Sequence, residues 1–123
     1  MARILVVDPE HEVRVLIADL LAGAGHEVHR AANGAEALAR LDGATFDLIL
    51  SDLTVPAIEG LGLYREIASR WPQLISRLVY ITGTIEAGSI EYHIALDAGI
   101  PLVMKPFDPK HLLDVVRVAL MRR

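Results

Sequence analysis

Four short apolar runs in this 123-residue chain each end on residues that can do chemistry. Asp8, Pro9 and Glu10 follow Ile4-Leu5-Val6-Val7, and Ser51 and Asp52 follow Leu48-Ile49-Leu50. Thr82 follows Leu78-Val79-Tyr80-Ile81, and Lys105 follows Leu102-Val103-Met104. Singly, each has an ordinary explanation. An Asp at a strand end caps a helix or closes a turn, a Thr bonds its own backbone, and a Lys is solvated. Together they offer two carboxylates, a hydroxyl and an ammonium at four equivalent positions. In a partly buried pocket Asp8 and Asp52 would repel each other, and the answer to that repulsion is either a divalent cation or Lys105.

The elements that must carry these residues alternate along the chain. Continuous apolar runs, as opposed to alternating ones, predict strands buried on both faces, as in a parallel sheet. Glu27-Val28-His29-Arg30-Ala31 is more polar and suits an edge strand. Between the runs lie helices. Val13, Leu16, Ile17, Leu20 and Leu21 share one helical face, which ends at Gly23 or Gly25. Asn33 caps a second helix, with Glu36 as its box partner. Tyr64, Ile67, Ala68 and Trp71 mark a third, stopped before Pro72. Residues 86–98 make a weakly patterned fourth. Asp108 caps the last helix, with Pro109 in its first position and Leu112, Val115, Val116 and Ala119 as its stripe. The βαβαβαβαβα pattern predicts an α/β fold, a flavodoxin-like (βα)5 doubly wound parallel sheet of strand order 2-1-3-4-5. In such a sheet ligands bind beyond the carboxyl ends of the strands, which is where the four chemical groups fall.

Composition narrows the function classes. Hydrophobic residues make up 53% and charged residues 23%, a globular balance with no low-complexity stretch. With no cysteine there are no disulfides, thiolate metal sites or cysteine nucleophiles. The net charge of −4 is not the footprint of a nucleic-acid binder, and the apolar run ending at Val7 is too short to span a membrane. A cytoplasmic protein is the expectation. Other motifs fail. Gly23-Ala24-Gly25 follows a helix, not a strand, and lacks the third glycine of a dinucleotide fingerprint. His11-Glu12-Val13-Arg14-Val15 starts like a zinc-protease motif but has Val15 where the second histidine belongs. His26 and His29 fall across a turn and a strand that send them to different faces. Arg117, Arg122 and Arg123 complement the dipole of the last helix.

Over its whole length the chain resembles the receiver domain of two-component response regulators. The resemblance rests on Ile4-Leu5-Val6-Val7-Asp8, on Asp47-Leu48-Ile49-Leu50-Ser51-Asp52 with Pro56 and Gly60, on Tyr80-Ile81-Thr82-Gly83, and on Ala98-Gly99 with Lys105-Pro106-Phe107. It implies that Asp52 is the phospho-accepting aspartate, with Thr82 bonding the phosphoryl group and Lys105 pairing with it. It also implies a magnesium ion held by Asp8, Asp52 and the Thr54 carbonyl, and a cis Lys105–Pro106 bond. The partner implied is a sensor histidine kinase or a histidine phosphotransfer protein, and the charge and short apolar runs add the expectation of no direct nucleic-acid binding and no membrane insertion. Residues 1–123 would form one receiver domain with no output domain visible, acting as a phosphoacceptor and not as a turnover enzyme.

Three departures from the family pattern stand out. Pro9 occupies the place of a second acid that commonly ligates the metal, and Glu10 is the nearby longer acid that reaches in directly or through water. Leu102 stands where the family has an aromatic switch. Gly99-Ile100-Pro101 is a shortened approach to the last strand, similar to receiver modules of hybrid histidine kinases. Two other functions compete. One is a pseudo-receiver, an interaction module whose metal chemistry is lost through Pro9. The other is a phosphohydrolase resembling haloacid-dehalogenase-like enzymes, but Asp52-Leu53-Thr54 lacks their second acid.

Overall fold

The computed structural model describes residues 2–52, 60–83 and 97–122. Within them the order is β1 (Arg3–Val7), α1 (His11–Gly23), β2 (Glu27–Ala31), α2 (Gly34–Gly43), β3 (Leu48–Asp52), α3 (Gly60–Arg70), a 3-10 turn (Pro72–Arg77), β4 (Leu78–Thr82), β5 (Leu102–Met104) and α4 (Pro109–Arg122). The strands pair in parallel as β2-β1-β3-β4-β5, the predicted order, with the polar strand at an edge. The expected fourth helix falls outside the described residues except for positions 97 and 98, which are helical. Pro56 also falls outside.

The sheet divides two apolar layers. Leu5, Val7, Ile49 and Tyr80 face Ala37, Leu41, Leu63 and Ile67 on one side. Ile4, Val6, Leu50 and Ile81 face Ile17, Leu21, Leu112 and Val116 on the other. Because β1, β3 and β4 are covered on both faces, their sequences run apolar without alternation. Each fully buried Leu or Ile contributes roughly 1.5–3 kcal/mol, so the layers hold the strand ends in fixed register.

The helix ends largely follow the expected chemistry. Asn33 Oδ1 accepts from the Glu36 N–H at 2.9 Å, while Glu36 Oε1 reaches back to the Ala32 N–H at 2.8 Å, one residue beyond the N-cap N–H of a standard capping box. Asp108 Oδ1 accepts from the Lys110 N–H at 2.9 Å. Gly25, with φ at +94°, turns the chain after α1 in a conformation that side chains resist. Two strands run further than the apolar pattern suggests. Ser51 and Asp52 are the last residues of β3, and Thr82 is the last of β4. Cross-strand partners draw them into the ladder: Ser51 lies against Val7 and Tyr80, Asp52 against Ile81, and Thr82 against Met104.

Candidate functional site at the carboxyl rim of the sheet

Side-chain alternation along the strands selects which rim groups meet. Val6, Leu50 and Val103 face the layer of α1 and α4, so Asp8, Asp52 and Lys105, each two residues on, emerge toward that same side. The register pairs Val7 with Ser51, and one further step brings Asp8 alongside Asp52. Thr82 has the opposite parity and is buried, one step past the Ile81 that faces Asp52. The Lys105 N–H donates to the Thr82 carbonyl at 2.7 Å, and the Lys105–Pro106 bond is cis, as the resemblance implies.

At the centre, Lys105 Nζ lies 2.7 Å from Asp52 Oδ2, 2.8 Å from Asp8 Oδ2 and 3.3 Å from Glu10 Oε1. The side chains of Asp8, Asp52 and Lys105 are 1%, 7% and 11% exposed, whereas that of Glu10 is 64% exposed. Burial pushes the Asp8 carboxyl above its usual range; Lys105 opposes the shift and the Asp52 charge adds to it. Burial alone would lower the Lys105 pKa, but its hydrogen bond to Asp52 and its contact with Asp8 outweigh that and hold it above the ordinary lysine value. The approach to Asp8 Oδ2 is an ion pair by distance, yet its angle leaves that buried oxygen without a hydrogen bond.

The chemistry of the donor set tests whether a cation suits the site. Among the described residues, Asp8, Glu10 and Asp52 form a group whose candidate ligand oxygens all lie within 4.8 Å of one another. Hard divalent cations take such carboxylate oxygens, and magnesium needs only one or two with water completing its shell. The donor set fits magnesium despite Pro9. The Thr54 carbonyl lies outside the described residues.

Elsewhere the excluded motifs stay apart. His26 Nδ1 accepts from the Ala2 N–H at 3.1 Å, and His29 Nε2 lies 2.7 Å from Glu27 Oε2. Arg117 Nη2 lies 3.6 Å from Asp114 Oδ1 on the α4 surface, and Arg122 stands in the last turn of α4. A surface hollow of about 270 Å³ along α4, lined by Pro101, His111, Asp114, Val115, Val118, Ala119 and Arg122, includes none of the rim residues. One rim residue escaped sequence reasoning. Arg14 Nη1 donates to the Asp8 carbonyl at 2.7 Å, from a helix position four after Glu10. That one-turn spacing from the strand-end acids was the available signal.

Comparison with known proteins places these features in context. Residues 4–117 match the family model described as the response regulator receiver domain. The chain is 30% identical, over 99% of its length, to the sensor kinase CckA of Brucella abortus, and 32% identical, over 94%, to the DNA-binding transcriptional regulator NtrC of Escherichia coli. It spans only 13% and 24% of those two proteins, but 92% of the response regulator receiver protein CpdR of Brucella abortus, to which it is 31% identical. Among solved structures, the chemotaxis response regulator CheY4 of Vibrio cholerae superposes with a TM-score of 0.84 at 29% identity, covering 97% of this chain and 98% of its own. A CheY-like receiver domain protein from Methanospirillum hungatei gives 0.85 at 30% identity, covering 98% and 94%.

Proposed function

The chain belongs to the response regulator receiver domain family, and on that premise we propose that Asp52 accepts a phosphoryl group from a phosphohistidine of a sensor histidine kinase or histidine phosphotransfer protein. Residues 1–123 act as one receiver unit in the cytoplasm, and the aspartyl phosphate changes which partner the unit binds. The observation carrying this reading is a buried Asp52 carboxylate 2.7 Å from Lys105 Nζ, beside a second buried acid, Asp8, whose Oδ2 lies 2.8 Å from the same ammonium. An Asp52 oxygen attacks phosphorus in line. The O–P bond forms as the N–P bond to the donor imidazole breaks, and the departing nitrogen keeps the electron pair. Lys105 meets the charge on the transferred oxygens, and the Thr82 hydroxyl donates to the phosphoryl group once it is in place. A magnesium ion held by Asp8, Asp52 and Glu10, with the Thr54 carbonyl, would supply further neutralisation of that charge. The chain is consumed as an acceptor, so its own chemistry is limited to self-phosphorylation from small donors and autodephosphorylation.

Intact-mass measurement after treatment with a small acyl phosphate, with and without magnesium, tests the reading. A single magnesium-dependent adduct should form and disappear in Asp52→Asn; an adduct that persists in that variant sinks the assignment. Pro9 favours one other reading, a pseudo-receiver that binds partners without phosphate chemistry. Proline removes a negative charge and fixes φ near −65°, so Pro9→Asp should bind magnesium more tightly than the natural chain. If the natural chain binds none at millimolar concentration and takes no phosphoryl group, the pseudo-receiver reading prevails.

A further inference from the structure

β1 ends at Val7 and α1 begins at His11, so the link between them must find hydrogen bonds outside both ladder and helix. The Asp8 N–H donates to the Ala31 carbonyl at 3.1 Å, the Glu10 N–H donates to Asp8 Oδ1 at 2.8 Å, and Pro9 has no N–H to give. The Asp8 carbonyl is taken by a side chain, Arg14 Nη1 donating at 2.7 Å. The other arm of the guanidinium is also held. Nη2 lies 3.1 Å from His11 Nδ1, and because a guanidinium has no acceptor, the histidine nitrogen accepts. Half-buried Arg14 thus clamps the first turn of α1 to the backbone of the residue whose own carboxylate fixes Glu10.

We infer that Arg14 is a positioning residue for cation binding, setting through the Asp8 carbonyl the directions in which Asp8 and Glu10 present their carboxylates. The inference rests on the reading of the rim as a magnesium site. Electrostatics gives it a distinguishing sign. If Arg14 acted only as a nearby positive charge, its removal would tighten cation binding. If it orients the acids, its removal weakens binding, as losses of groups that support metal ligands do, typically by about 10-fold or more.

The test is a magnesium titration of the natural chain, Arg14→Ala and Arg14→Lys, followed by the amide shifts of Asp8, Glu10 and His11, with thermal unfolding measured alongside. We expect Arg14→Ala to bind about 10-fold more weakly, and Arg14→Lys, which retains a charged donor, to recover part of the loss. With an acyl phosphate donor, the half-saturating magnesium concentration should rise by a similar factor while the rate at saturating magnesium is preserved. If Arg14→Ala does not fold, Arg14→Met, which keeps the apolar stem, carries the same expectation. Equal or tighter binding by the folded alanine or methionine variant overturns the inference while leaving the site reading intact. No binding and no phosphorylation in the natural chain overturns the site reading and the inference with it.

Discussion

Lys105 faces three carboxylates with one positive charge, an imbalance that makes it both a stabilising and a responsive group. Removing one partner from a buried ion cluster leaves the others uncompensated, at a cost of roughly 3–5 kcal/mol for fully buried pairs. Lys105→Ala should therefore fold yet lose about 3 kcal/mol in urea unfolding without magnesium. Adding magnesium should recover much of the loss, because the cation neutralises the same acids. The pKa of Lys105 is raised in the folded state, so its stabilisation is complete below the ordinary lysine value of 10.5 and fades as pH rises through the higher folded value. The deficit of the variant should be constant across neutral pH and shrink only in strong alkali. An unchanged urea midpoint in metal-free buffer would show that the ammonium does not hold the acids together.

At the scale of elements, α1 departs from a local rule. Its N-cap is Glu10, whose side chain makes no capping bond and turns instead toward Lys105. Ser, Asp or Asn would cap better, and natural proteins tend to break such rules where function requires it. Glu10→Ser should raise stability by about 0.5–1 kcal/mol while weakening magnesium binding; the exposed ion pair it gives up contributes little. A variant that gains stability with unchanged cation affinity would remove Glu10 from the ligand set. The start of β2 offers a separate pH test. The His26 pKa is lowered by burial and then by the nearby N-terminal charge, and its Nδ1 accepts the Ala2 N–H. A base whose folded pKa is depressed contributes fully above its unfolded value, here 6.5, and that contribution is lost as pH falls toward the folded value. Thermal scans of the natural chain and His26→Gln should differ by a constant amount above that point. Below it the natural chain should lose ground; parallel curves throughout would refute the assignment.

For the whole molecule, cation binding and folding are linked, because the acids converge only when strands from separate parts of the chain are in register. Magnesium at a hundred times its dissociation constant should add about 2.7 kcal/mol to stability, read as a rise in Tm that grows with concentration. Asp52→Asn should blunt that rise. A rise of equal size in Asp52→Asn would place the cation elsewhere. No described helix is long and apolar enough to cross a membrane.

The strand order and the identities of the rim groups were legible in the sequence because the strands alternate with helices and the apolar runs of β1, β3 and β4 are covered on both faces, although the equally apolar β5 lies at an edge with Met104 exposed. Asp8, Asp52 and Lys105 stood out as the residues following such runs. What the sequence could not show was their mutual geometry. The three-way contact of Lys105 depends on register across β1, β3, β4 and β5, a sum of packing choices made far from the rim. The inclusion of Ser51, Asp52 and Thr82 within their strands likewise depends on cross-strand partners, because polar residues carry no apolar signal of their own. Arg14 shows the limit most clearly. Its place one turn after Glu10 is visible in the sequence, but only the tertiary fold brings its guanidinium onto the Asp8 carbonyl.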